Sequence, residues 1–442
     1  MNKQPTSVAC HLKNETSKYI VLVTTGSYGD VFPFLAIAQQ LQLRGHCVIL
    51  ATHETHRQIV ESEGIEFHSI RPNVHTDIEQ IWQFIELLSN SQQQLDYGIS
   101  YLMMPYLRST YSDLMTVAHK AQLLITHPLA CAATLLAEKM QIKRISTVLA
   151  PISFLSAYDS PYGSTTPSSA YEEALTLVAK DNFYRQLRWQ TRFWSSPIRQ
   201  LRAELDLPPT SDLLFEGQHS SELVLALFSQ VLATPQLDWP TQTQVTGFPF
   251  FTSRNLKGLP KELEDFLQLG SPPIVFTLGS LMVWAPGNFY FEGAIAAQQL
   301  GYRCVLLMGP GAHCVTKEQL PPHTYPIDYV PHEAIFPRSV AIVHHGGVGT
   351  TAQALRAGRP MLIIPQAFDQ PDNGARLVRL GVARMLERQH TTASHIAAEL
   401  RPLLLDKSYT DKAAEVSRIV QAENGVVNAC DAIESHLLLR SI

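Results

Sequence analysis

The sequence predicts an α/β protein of two doubly wound, Rossmann-like domains that face each other across a cleft. Three observations carry that expectation. At 442 residues the chain is too long for one core; short apolar runs alternate with amphipathic helical stretches in both halves; and the alternation breaks in the middle, across a Ser-, Pro- and aromatic-rich segment. Hydrophobic residues make up 45% and charged residues 17%, a composition that fills large cores and excludes general disorder.

Taken in order, the polar residues 1–18 read as a loose, disordered tail without the apolar stretch of a signal peptide. The runs YIVLV, HCVILAT and IEFHSI alternate with helical stretches from Val31 and His56. LLITHP and the strand from Arg144 to Ala150, with a helix near Ala132 to Met140 between them, complete a first domain over 19–240. Pro, Gly and Asn crowd residues 241–272, the chemistry of an interdomain linker. A second domain over 273–425 repeats the rhythm in PIVFTLGS, RCVLLMG, TYPIDYV, VAIVHH, PMLIIPQ and VARMLE, and 426–442 reads as a C-terminal helix. Open α/β sheets bind ligands beyond the carboxyl ends of their strands, so two facing sheets create one deep site.

The balance of charge narrows the function. Lys+Arg 34 against Asp+Glu 39 gives a net charge of -5, which supplies no field for nucleic acid. Cys10, Cys47, Cys131, Cys304, Cys314 and Cys430 are dispersed, with no C-x-x-C pair and no zinc spacing, and read as reduced, mostly buried thiols. The apolar runs are strand-sized, far below the ~20 residues of a membrane span, so the chain is expected to be cytoplasmic with any membrane contact peripheral.

The strongest motif is VHHGGVGTTAQALRAGRPMLIIPQAFDQPDN, Val343 to Asn373. A strand ends at His344 and His345, the chain crosses Gly346, Gly347 and Gly349, and a helix opens at Thr350. Glycines admit a ligand close to the backbone, and a helix N-terminus offers unpaired N–H groups and partial positive charge, so an anion is expected there. The Gly-Lys-Ser/Thr ending of a P-loop is missing, and the paired histidines add donors for a diphosphate. Further on, Asp369 and Gln370 offer acceptors and a donor for vicinal sugar hydroxyls, although an Asp before a helix is also an ordinary cap.

HHGGVGTT followed by DQPDN resembles the C-terminal signature of family-1, GT-B-fold glycosyltransferases, and TTGSYGDVFPF (Thr24 to Phe34) resembles the opening of their sterol and glycopeptide glucosyltransferase branch. DWPTQTQVTGFPFF, PPIVFTLGS and RLVRLGVAR extend the likeness, which looks closest to the rhamnosyltransferase of bacterial rhamnolipid synthesis. The resemblance implies a GT-B fold and inverting transfer of a hexose or deoxyhexose from a UDP- or dTDP-sugar to an acceptor hydroxyl. It implies no metal and no cofactor besides that cosubstrate; the sequence has no Asp-x-Asp pair, which leaves His344, the helix dipole and the hydroxyls of Ser280 and Thr350 to meet the leaving diphosphate. Asp30 matches the position proposed as general base in this branch, and it also reads as an N-cap of the helix from Val31; the two are compatible. The segment Asp328 to His332 resembles the Trp-x-Pro-Gln element that cradles the base, with Tyr329 in place of tryptophan and Val330 and His332 beside it. Plant-type members bind ribose through a glutamate where this chain has Ala352, so UDP and dTDP are not separated.

His127 ends the fourth strand, which neighbours the first in a doubly wound order, so it is expected beside Asp30 as an orienting or acceptor-binding group. The acceptor is expected to be hydrophobic and hydroxylated, a lipid ahead of a sterol or polyketide, against IWQFIELL (81–88) and YLMMPYL (101–107). The arginines and aromatics of 183–202 read either as a membrane-resting stretch or as a helix with a buried aromatic face and solvated arginines. Two rival functions remain: a catalytically silent nucleotide-sugar-binding partner subunit, and a dinucleotide-dependent oxidoreductase, the latter opposed by GSYGD where G-x-G-x-x-G is required.

Overall fold

The computed structural model describes residues 19–72, 98–159, 170–254, 258–309 and 317–438. Two parallel sheets form. The first comprises β1 (Tyr19–Val23), β2 (Cys47–Thr52), β3 (Glu66–Ser69), β4 (Leu123–Thr126), β5 (Lys143–Val148), β6 (Val224–Ala226) and β7 (Thr243–Val245), ordered β3-β2-β1-β4-β5-β6-β7. The second comprises β8 (Ile274–Thr277), β9 (Cys304–Leu307), β10 (Thr324–Ile327), β11 (Ala341–His344), β12 (Met361–Ile363) and β13 (Ala383–Met385), ordered β10-β9-β8-β11-β12-β13. The central strands are continuous apolar runs, as strands covered by helices on both faces require.

Each sheet reverses its strand order at its first strand, and register places the site there. Val23 pairs with Thr126, so the loop from Thr24 and the residue His127 leave the first sheet side by side. His344 pairs with Thr277, so the glycine loop and the Gly279–Ser280 turn leave the second sheet together.

The two sheets are not independent bodies. One buried cluster runs from Val148 and Phe228 beside the first sheet through Trp239 and Phe248 to Ile342, Leu355 and Leu377 of the second. The segment expected as linker contributes to both sides: β7 extends the first sheet to Val245, and the helix Lys261–Gln268 buries Leu263 and Leu267 in the shared core. The last helix, Gly425–Leu438, crosses back to the first domain, where Ala429, Cys430 and Ile433 pack against Leu35 and Leu41. Arg44 holds it there by pairs of 2.6 Å to Asp431 and to Glu434.

Differences from the sequence reading are local. Two helices that carry the motifs begin two or three residues earlier than expected, at Tyr28 and Val348, because the cap is the residue before each, Ser27 and Gly347. Three cysteines, Cys131, Cys304 and Cys430, are free and buried. Cys47, at the half-buried first position of β2, is disulfide-bonded, which corrects the reduced-thiol expectation for that residue.

Candidate active site

The wall supplied by the second domain starts from a glycine loop. After β11 the chain turns through Gly346, whose φ of +90° suits glycine and whose missing Cβ would stand 2.9 Å from Ile363 and 3.0 Å from the Gln370 carbonyl oxygen. Gly347 then caps the helix Val348–Ala357, whose first N–H groups have no partner within the helix. His344 is fully buried, and its Nδ1 accepts from the Gly346 N–H at 3.1 Å. That bond assigns the proton to Nε2, which is buried without a partner. A buried N–H donor at a helix N-terminus, otherwise costly to leave unmade, is a ready partner for a phosphate oxygen.

Burial pushes the pKa of His344 well below the ordinary histidine value, that of His345 to about 3 and that of His332 to about 4, so all three are neutral near pH 7. His345 fills the space between two loops: a Cβ on Gly279 or Gly347 would stand 2.5 or 2.4 Å from its ring. It fixes the separation of those loops; Ser280 follows the first, and Thr350 stands in the first turn of the helix after the second.

The helix Gln370–Arg379 carries the other half of that wall. Asp369 precedes it, with Oδ2 accepting from Asn373 Nδ2 at 2.7 Å. Burial, offset by that bond and reinforced by the negative Asp30, pushes the Asp369 carboxyl up to about 7. Asn373 is itself fully buried and donates also to the Gly346 oxygen at 2.9 Å. Through its Nδ2 it ties the glycine loop to Asp369, and its Oδ1 is buried without a hydrogen-bond partner. Gln370 Oε1 accepts from the N–H groups of Gln366 and Ala367 at 2.8 and 3.0 Å, so its acceptor serves the turn and its amide N–H groups are what it has for a sugar. Tyr329 is 65% exposed and suited to stack on a base, whereas Val330 is buried in the core and can contribute only main-chain contact. His332 stacks on Phe336 at 4.4 Å and supports that segment.

The first domain's wall is built from side chains. Asp30 occupies the third position of its helix, not the cap expected for it: Ser27 is the cap, and the Asp30 Oδ2 accepts from the Ser27 N–H at 2.8 Å in a capping box. Gly26 makes room, with φ +117° and a Cβ position only 2.3 Å from Asp30 Oδ2. The other carboxylate oxygen lies 3.4 Å from His127 Nε2. His127 Nδ1 accepts from the Leu129 N–H at 3.2 Å, which leaves the Nε2 proton facing Asp30. The expected neighbours Asp30 and His127 are thus brought together, with the His127 Nε2 side turned to the carboxylate.

Beneath this turn lie two histidines that sequence reasoning missed. His53 stands 2.5 Å from the Thr25 hydroxyl and 2.6 Å from the Pro72 carbonyl oxygen, and burial lowers its pKa to about 4. His56 bonds the Gly26 carbonyl at 3.0 Å. A narrow apolar cavity opens beside them, lined by Thr25, Ile70, Met103, Leu107, Leu129 and Cys131. Of YLMMPYL, then, Met103 and Leu107 line a cavity, Met104 is core, and Tyr101 is exposed. IWQFIELL lies outside the described residues.

The two walls meet. A Cβ on Gly349 would lie 3.6 Å from the Gly29 Cα, and the Asp30 charge reaches Asp369. To one side, Arg376 is buried and binds Asp159 of the first domain, the Leu232 carbonyl at 3.2 Å and Asp372 at 2.9 Å, fastening the helix that follows Asp369 to the opposite domain. Nothing in the sequence around Asp159 marked that clasp. Among the described residues no three His, Cys, Asp or Glu side chains gather to hold a metal.

A family model described as the glycosyltransferase family 28 N-terminal domain matches residues 20–158, and one described as the erythromycin biosynthesis protein CIII-like C-terminal domain matches 304–430. O-mycaminosyltylonolide 6-deoxyallosyltransferase of Streptomyces fradiae is 30% identical over 94% of this chain and 96% of its own length. The chain belongs to the family-1, GT-B-fold glycosyltransferases. Sterol 3-beta-glucosyltransferase of Arabidopsis thaliana is 29% identical over 95% of this glycosyltransferase, which spans 65% of that protein's length. The solved structure of glycosyltransferase VinC in complex with dTDP superposes with a TM-score of 0.65 at 18% identity, covering 95% of this chain and 99% of that one, a likeness of fold. Membership leaves the oxidoreductase and silent-partner readings without support.

Proposed function

We propose that this glycosyltransferase transfers a hexose or deoxyhexose, with inversion and without a metal ion, from a UDP- or dTDP-sugar to a hydroxyl of a hydrophobic acceptor. The observation that carries this reading is the opposition of Asp30, oriented by His127, to a helix N-terminus with a partnerless His344 Nε2 and the Asp369 carboxyl. In the proposed step the acceptor oxygen attacks the anomeric carbon as its proton passes to the Asp30 carboxylate. The bond from that carbon to the diphosphate oxygen breaks, and its electron pair leaves with the diphosphate, met by His344 and the helix N–H groups. Attack from the side opposite the leaving group inverts the anomeric centre. Asp369 and the Gln370 amide hold sugar hydroxyls, and Tyr329 stacks on the base.

Relatives whose names give a tylonolide and sterols favour a sterol or polyketide acceptor over the lipid first expected. VinC with dTDP keeps a thymidine donor beside the uridine one. Incubating the purified protein with UDP- and dTDP-hexoses and deoxyhexoses against sterol, macrolactone and lipid-extract acceptors, with mass spectrometry of the products, tests this. A glycosylated acceptor is expected, with an anomeric configuration by NMR opposite to the donor's. Absence of both transfer and slow donor hydrolysis across the panel, or retained configuration, contradicts it.

A further inference from the structure

The corner between the helices Ala170–Gln190 and Ser196–Glu204 is fixed on its inner side and apolar on its outer side. Inside, Tyr184 and Trp194 are buried, Ile198 and Leu201 enter the core, Ser195 Oγ lies 2.5 and 2.6 Å from the Asp212 carboxylate oxygens, and Arg188 pairs with Glu216. Outside, Trp189 is 65% exposed, Val178 58%, Phe193 55% and Phe183 52%. Of the two readings of this stretch, the buried aromatic face thus describes two of its five rings, Tyr184 and Trp194. Large apolar groups left exposed on a packed corner mark a place of contact.

The charge around them is one-sided. Between Val178 and Arg199 the chain carries Lys180, Arg185, Arg188, Arg192 and Arg199 against Asp181; Arg185 pairs with Asp181 and Arg188 with Glu216, which leaves Lys180, Arg192 and Arg199 as the surplus positive charge in a protein whose net charge is -5. The Arg192 guanidinium sits 4.3 Å from the centre of the Trp189 ring and bonds the Trp189 carbonyl, while Arg199 bonds the Arg192 carbonyl at 3.0 Å. Carbonyl partners leave both positive charges in place. A second copy of this corner would bring like charges together, whereas a surface of lipid phosphates complements it and gives Trp and Phe the headgroup boundary they favour.

We propose that this corner is a peripheral docking surface for an anionic bilayer, with Trp189 and Phe193 entering the headgroup boundary and Arg192 and Arg199 on lipid phosphates. No described helix is long and apolar enough to cross a membrane, so the contact is one of resting on it. The Ser196–Glu204 helix packs against the Met104–Tyr106 turn, whose neighbours Met103 and Leu107 line the apolar cavity. A bilayer-dissolved acceptor would have a short path to Asp30; that last step rests on the proposed acceptor class, and the docking itself does not.

Flotation of the full chain with vesicles, in the absence of donor and acceptor, tests docking separately from transfer. Binding to phosphatidylglycerol-containing vesicles is expected to exceed binding to phosphatidylcholine vesicles at least tenfold and to fall with added salt. Trp189→Ala with Phe193→Ala should weaken it at least tenfold, and Arg192→Gln with Arg199→Gln about fivefold per arginine, with donor affinity and circular dichroism unchanged in the exposed-arginine variant. Equal binding to both vesicle types, no binding to either, or a concentration-dependent dimer that the aromatic variant dissolves would overturn the proposal.

Discussion

The two walls of the cleft solve different problems with different materials. In the proposed reaction the wall from the second domain would meet a diphosphate, which every donor shares, with glycine backbone, a helix N-terminus and neutral buried histidines within the 31 residues from Val343 to Asn373. The wall from the first domain would meet the acceptor and draws single side chains from separate places, Asp30 after β1 and His127 after β4, with His53 after β2 bonded to Thr25 beneath them. Backbone recognition is tolerant of the rest of the chain; side-chain recognition depends on how several loops are held. Damage to the first wall should therefore appear in the chemical step, and damage to the second in donor binding.

Asp30→Asn breaks the comparison hardest. The amide oxygen can still accept from the Ser27 N–H, so the helix start should survive, while the rate should fall about 10²- to 10⁴-fold. Initial rates with thermal melting on the same variant check this; a rate within a few-fold of wild type moves the base elsewhere. Gly26→Ala should act on the same wall without removing any functional group. Its Cβ would collide with Asp30 Oδ2 and its φ disfavours a side chain, so a rate loss of more than about tenfold is expected with the donor KM unchanged.

On the opposite wall, the raised pKa of Asp369 sets a pH signature. An acid titrating near 7 is protonated below that pH and ionised above it, and the ionised form is the stronger acceptor for sugar hydroxyls. Donor kcat/KM should rise as pH increases through about 7. In Asp369→Asn that rise should vanish, with a loss of about 10- to 100-fold at pH 8, the worth of a hydrogen bond to a charged group. A pH profile unaltered by the substitution would remove Asp369 from the sugar site. The smallest effect expected is that of EDTA, which should leave the rate within error of untreated enzyme; abolition with rescue by Mg²⁺ would show that the diphosphate is met by a cation and not by the protein alone.

The same contrast explains what was legible in advance. The alternation of strands and helices, the adjacency of the first and fourth strands and the glycine loop were readable because each is encoded by neighbours in sequence. Even there the helix starts were misplaced by two or three residues, since Ser27 and Asp30 look equally like caps until the capping box shows which is which. Asn373 and Gln370 were read as ligands from their motif, yet part of their hydrogen-bonding capacity serves the turn they sit in. His53, Asp159 and Arg376 left no usable signal because their partners lie far away along the chain: Arg376 and Asp159 are 217 residues apart. The short strands β6 and β7, three residues each, were invisible because their pairing, and not their own pattern, makes them strands.

Donor binding measured by calorimetry on Asp30→Asn and His344→Ala, without acceptor, tests the division between the walls most directly. His344→Ala should weaken UDP or dTDP binding about 5- to 150-fold, as one buried hydrogen bond to the diphosphate is lost, and Asp30→Asn should leave it unchanged. Equal affinities in wild type and His344→Ala, or a comparable loss in Asp30→Asn, would contradict the assignment of donor and chemistry to opposite sides of the cleft.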